Sequence, residues 1–148
     1  MKIYVLNGPN LNLLGVREPG IYGSESYEEL IEKIEKYAES KGISVKCLQS
    51  NHEGALVDFI HEGVFEGIDG LVINPGAYTH TSIALLDAVK ATGIPTVEVH
   101  ISDVNAREEF RRQSYIRAAC IATVSGHGTK GYLVAIDLLL THSAEVAR

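Results

Sequence analysis

The chain has 148 residues, with 13 Lys and Arg against 19 Asp and Glu for a formal net charge of −6. Hydrophobic residues at 45% and charged residues at 22% describe an ordinary globular composition of single-domain size, which excludes a disordered chain. No Lys/Arg-rich block supplies the clustered cations that nucleic acid and anionic membranes require, so neither is an expected partner.

The apolar run over residues 1–6 stops at Asn7-Gly8-Pro9, shorter than a signal-peptide core or a membrane span, and the expected location is cytoplasmic. Candidate strands lie at 3–7, 44–49, 70–74, 96–100 and 120–124. Between the first two, Ser26 with Glu29 forms a capping box, and Leu30, Ile31, Ile34, Tyr37 and Ala38 repeat at helical spacing until Gly42. Ser50 with Glu53 reads as a second capping box, opening a helix that carries Leu56, Val57, Ile60 and Val64. A third helix is expected after Thr79 or His80 with Ile83, Leu86 and Val89. Residues 105–112 read as a short polar helix and 132–140 as a longer apolar one. Strands alternating with helices predict a single-domain, three-layer α/β fold: a flavodoxin-like, doubly wound, five-stranded parallel sheet of order 2-1-3-4-5. Cys47 and Cys120 are far apart and outside any metal-ligand spacing, so they read as reduced core thiols.

In such sheets ligands sit beyond the carboxyl ends of the strands. The connection after the first strand is unusually long; it carries Asn10, Arg17 and Tyr22, and residues 16–24 read as a lid with Gly20 and Gly23 as hinges. The third strand ends in Asn74 and leads to His80, which either caps the next helix or meets an oxygen-rich ligand. Glu98 and His100 are two apart, so they share one side of the fourth strand. A carboxylate there holds the tautomer of the imidazole and favours the protonated ring, and a histidine near the reference pKa of about 6.5 donates a proton readily around neutrality. A structural ion pair would use the same two residues. The Ile101 and Ser102 amides are candidates for holding an anion; Arg107 and Arg111, four apart on the expected helix, are candidates for attracting one. Gly126-His127-Gly128-Thr129-Lys130-Gly131 formally matches G-x-G-x-x-G, yet the chain ends too soon for the acidic strand that a dinucleotide site needs, so it reads as a tight turn.

Several long motifs together carry a resemblance: Asn7-Gly8-Pro9-Asn10-Leu11-Asn12, Arg17-Glu18-Pro19, Tyr22-Gly23, Gln49-Ser50-Asn51-His52-Glu53-Gly54, the run from Asn74 to Ser82, Glu98-Val99-His100-Ile101-Ser102, Ala106-Arg107-Glu108-Glu109-Phe110-Arg111 and Gly131-Tyr132. In order and spacing they resemble the type II 3-dehydroquinate dehydratases over nearly the whole chain. The resemblance implies anti elimination of water from 3-dehydroquinate through an enolate to 3-dehydroshikimate, in the shikimate pathway of aromatic amino acid biosynthesis, with no metal or organic cofactor. It implies Tyr22 as the base, with Arg17 favouring the phenolate. A tyrosine of pKa about 10 must lie roughly 3 units lower to be mostly ionised at pH 7, about 4 kcal/mol of differential stabilisation. It further implies Asn10 at the enolate oxygen through a water, His100 as the acid and Glu98 as its orienting partner. Asn74 and the amides of Ile101 and Ser102 would take the substrate carboxylate, and His80 and Arg111 the ring hydroxyls. Arg107 would act from the lid side, and Asp87 at a neighbouring subunit's site. At about 1.5 Å per residue of helix, Asp87 lies roughly 10 Å beyond His80, too far to serve the same small ligand. The borrowed contact implies a homo-oligomer, in the family pattern a homododecamer built as a tetramer of trimers. Asp103 and His127 depart from the family's usual residues. A flavin- or nucleotide-binding module on the same fold is the alternative, because fold alone does not set function.

Overall fold

The computed structural model describes residues 1–16 and 24–147. Strands β1 (Lys2–Asn7), β2 (Ser44–Gln49), β3 (Gly70–Asn74), β4 (Thr96–His100) and β5 (Ala122–Ser125) form one parallel sheet in the order β2-β1-β3-β4-β5, as expected. Among the described residues four α-helices accompany it: α1 (Tyr27–Ser40), α2 (Glu53–Phe65), α3 (Ile83–Thr92) and α4 (Lys130–Val146). Strand alternation divides the core. Ile3, Val5, Val72, Val97 and Val99 meet Leu30 and Ile34 of α1 and Ala135, Ile136 and Leu139 of α4 on one face. Tyr4, Leu6, Leu71 and Ile73 meet Leu56 and Ile60 of α2 and Leu85 and Val89 of α3 on the other. β1 and β3 are buried on both faces, which is why they read as apolar runs rather than alternating ones.

The α1 prediction holds in detail: the Ser26 hydroxyl accepts from the Glu29 amide at 3.1 Å, and Gly42, with φ 70°, follows the last turn. Four other expectations need correction. Ser50 does not cap α2, because its hydroxyl accepts from the His52 amide in a local turn and His52 becomes the residue preceding the helix. The chain after β3 first makes a 3-10 turn over Gly76–His80; Ser82 then caps α3 through the Leu85 amide, so His80 lies before the helix and Ile83 faces outward. Residues 105–112 form no α-helix. Two 3-10 turns, Val104–Ala106 and Glu109–Arg111, stand there, because this polar stretch offers no apolar stripe to offset the cost of helix nucleation; Phe110 itself is exposed. Lastly, β5 begins at Ala122, since the Cys120 amide still closes the 3-10 turn Ile116–Ala119.

The thiols behave as expected. Cys47 packs on the α1/α4 side of the sheet and Cys120 on the α2/α3 side, and burial pushes both up to about 12. No described helix is long and apolar enough to cross a membrane.

Candidate active site

The carboxyl ends of β1, β3 and β4 converge, and the turns leaving them are locked together. Gly8 follows β1 and donates its amide to the Asn74 carbonyl at 2.8 Å. A side chain there is excluded, since a Cβ on Gly8 would lie 2.3 Å from the Pro75 carbonyl oxygen. Asn10 is the one described non-glycine residue with positive φ, at 69°, a conformation asparagine tolerates. Its amide donates to Asn51 Oδ1 at 3.0 Å, and Gln49 Nε2 holds the Gly8 carbonyl at 3.2 Å. The motif after β2 therefore braces the loop after β1.

Beneath this loop lies a buried polar chain. The Tyr132 hydroxyl of α4 donates to Asn7 Oδ1 at 2.5 Å and accepts from Asn74 Nδ2 at 3.0 Å, while Asn74 Oδ1 accepts from the Gly76 amide at 3.1 Å. Burial pushes the Tyr132 phenol far up, so it stays a neutral donor. Both ends of the Asn74 amide are thereby oriented, which suits a residue that must present a fixed edge to a ligand.

On β4 the side chains of Glu98 and His100 meet as their two-residue spacing predicts. His100 Nε2 contacts Glu98 Oε2, leaving Nδ1 as the ring nitrogen available to the cavity that His100 lines. Glu98 is fully buried and takes more than the imidazole: Ser114 Oγ at 2.7 Å, Arg117 Nε at 3.1 Å and Thr123 Oγ1 at 3.2 Å all reach it. Burial pushes this carboxyl up, but the bonds from His100, Ser114 and Arg117 outweigh it and hold the group down at about 2. A depressed carboxyl contributes stability that is complete above the ordinary value of 4.5 and disappears as pH falls towards about 2. In urea melts the stability gap between wild type and Glu98→Gln should therefore be widest at neutral pH and shrink by roughly 3 kcal/mol on acidification. A gap that stays constant with pH would mean that Glu98 is not held ionised.

His80 ends the 3-10 turn after β3, with Nδ1 2.7 Å from the Gln113 carbonyl oxygen. A carbonyl only accepts, so Nδ1 carries the hydrogen. Burial, reinforced by His100, Arg111 and Arg107, pushes His80 below the ordinary histidine value. The neutral ring then offers Nε2 as an acceptor, the form that receives a hydroxyl hydrogen.

These groups line a single cavity of about 190 Å³. It brings together Asn10, Asn74, His80 and His100 with Ile101, Ser102, Arg107 and Arg111, eight of the twelve residues expected at the site. Glu98 stands behind His100 rather than in the wall. Asp87 is exposed on α3 and does not line the cavity, and because His80 lies in the 3-10 turn before the helix, the spacing expected of one continuous helix does not apply to the two residues. Arg17, Tyr22 and all of the expected lid at 16–24 except its two end residues lie in 17–23, outside the described residues. Arg107 and Arg111 reach the cavity from two separate 3-10 turns rather than from one helical face. Arg111 is steadied by its Nε bond to Glu108 at 2.6 Å. The glycine turn is a tight turn, as expected, and it has a structural use: the Gly128 amide holds the Ile101 carbonyl at 3.0 Å, and Ser125 Oγ holds that of Ser102 at 3.2 Å. Asp103 caps the next turn through the Asn105 amide, as an asparagine would. Sequence reasoning missed Ser114, Arg117 and Thr123. Only Thr123 left a readable signal, since register pairs it with Glu98 across β4 and β5.

The arrangement is a cationic, polar pocket in a net-negative chain, with a carboxylate-backed imidazole in its wall. Such a site suits proton transfer on an anionic, hydroxylated ligand. The model of the family Dehydroquinase class II matches residues 1–140. The chain belongs to the class II dehydroquinases. Relatives named 3-dehydroquinate dehydratase include one from Caldicellulosiruptor bescii, 55% identical over 138 residues spanning 93% of this chain and 95% of that protein. Another, from Clostridium perfringens, is 52% identical over 142 residues, 96% of this chain and 97% of its own. Among solved structures, the type II dehydroquinase from Butyrivibrio crossotus superposes with a TM-score of 0.93 at 56% identity, covering 94% of this dehydroquinase and 97% of that chain.

Proposed function

We propose that this class II dehydroquinase converts 3-dehydroquinate to 3-dehydroshikimate by anti elimination of water through an enolate, as a cytoplasmic enzyme of the shikimate pathway and as a homododecamer. The observation that carries the reading is the buried Glu98–His100 pair opening onto the cavity that Asn10, Asn74, His80, Arg107 and Arg111 also line. His100 protonates the departing hydroxyl while Glu98 fixes the ring. The substrate carboxylate takes the Ile101 and Ser102 amides and the oriented Asn74 amide. The neutral His80 and Arg111 receive ring hydroxyls, and the guanidinium groups favour the anion over neutral sugars. Asn10, through a water, stabilises the enolate oxygen. Tyr22 removes the proton, with Arg17 supplying the positive charge that favours its phenolate, from residues 16–24 acting as a cover over the cavity. Asp87, exposed on α3, serves a neighbouring subunit in the assembly.

The product is a conjugated enone, so its ultraviolet absorbance should rise when folded protein meets 3-dehydroquinate. No rise would reverse the assignment. The flavin- or nucleotide-binding reading is not favoured, because the chain belongs to the class II dehydroquinases over residues 1–140.

A further inference from the structure

Glu98 presents a charge problem that His100 alone does not solve. The carboxylate is fully buried, and a proton leaves His100 during turnover. Once the ring is neutral, a buried carboxylate with no other cation would be left uncompensated, an expensive arrangement. The fold places a second cation there. Arg117 Nε lies 3.1 Å from Glu98 Oε1 and its Nη2 3.4 Å from Oε2, so the guanidinium spans both oxygens. Ser114 and Thr123 add hydroxyl donors to the two oxygens at 2.7 and 3.2 Å. None of the three lines the cavity. They come from the segment between β4 and β5, which holds no α-helix, and from β5 itself.

We propose that Arg117, seated with Ser114 and Thr123 on the face of Glu98 away from the cavity, is a positioning residue that balances the Glu98 charge both before and after His100 gives up its proton. This rests on the dehydratase reading of the same site. With Arg117 in place the trio carries a net single positive charge when His100 is protonated and none afterwards. Without it the charge runs from zero to one buried negative, so the ring holds its proton more tightly and is a weaker acid. Other groups facing the pair are the half-buried Cys120 thiol near Glu98 and, from the turn after β3, His80, itself within reach of Arg107 and Arg111. All of these remain in the variants.

The test compares kcat and KM against pH for wild type, Arg117→Met and Arg117→Lys, with thermal melts to confirm folding. Arg117→Met should lower the plateau kcat about tenfold, leave KM within about twofold, and move the alkaline limb of the kcat profile upward by about 0.5–1 pH unit. Arg117→Lys should return most of both changes. An alkaline limb that stays put in Arg117→Met, whatever happens to kcat, overturns the proposal, as does a lysine variant no better than methionine. If wild type itself fails to turn over 3-dehydroquinate, the dehydratase reading fails instead. The ring NMR titration of His100 then decides the charge-balancing role alone: an upward displacement in Arg117→Met supports it, and an unchanged curve rejects it.

Discussion

His100→Ala should lower kcat for 3-dehydroquinate about 1,000-fold, the range that a positioned acid contributes, with little change in KM. The fold should survive, because Glu98 keeps Ser114, Arg117 and Thr123 after the imidazole is gone. Melts close to those of wild type would confirm that the loss is chemical. The step removed is departure of water, not formation of the enolate. The variant should therefore still exchange the substrate's acidic α-hydrogen with deuterium oxide, read as a mass increase in recovered 3-dehydroquinate. A variant that turned over at near wild-type rates, or lost only affinity, would remove His100 from the role of acid.

Tyr22→Phe is expected to be at least as damaging, with kcat falling about 1,000-fold or more, because without the phenolate no enolate forms. The two variants are distinguished by exchange: Tyr22→Phe should lose deuterium uptake together with elimination, whereas His100→Ala loses elimination alone. Persistent uptake in Tyr22→Phe would assign proton removal to another group. The described chain on either side of 17–23 comes together, since a Cβ on Gly15 would lie 2.9 Å from the Ser24 carbonyl oxygen. The substitution removes one hydroxyl from the side chain.

The motif resemblance reached Asn10, Asn74, His80, His100, Ile101 and Ser102 because the motifs starting at Asn7, Asn74 and Glu98 end a strand and run into the turn after it, and parallel strands deliver those ends to one edge. Glu98 and His100 were legible as a pair because strand alternation is a rigid rule of two. The Arg107–Arg111 relation was not. Their four-residue spacing is a neighbour relation only inside an α-helix, and this stretch folds as two short turns that bring both arginines to the cavity by separate routes. Ser50 misled for a similar reason, since a serine three residues before a glutamate can equally close a local turn onto His52.

By itself, the order of apolar runs, caps and glycines determined five parallel strands, their order and the strand edge that bears the site, because backbone periodicity and connection length are local quantities. Only the tertiary structure decided what surrounds Glu98 and Asn74. Arg117 and Tyr132 reach them across 19 and 58 residues of chain, and no periodicity links partners so far apart. Their meeting follows from desolvation: a carboxylate and an amide sealed inside the sheet layers must be paired there, and the fold brings those partners from distant sequence.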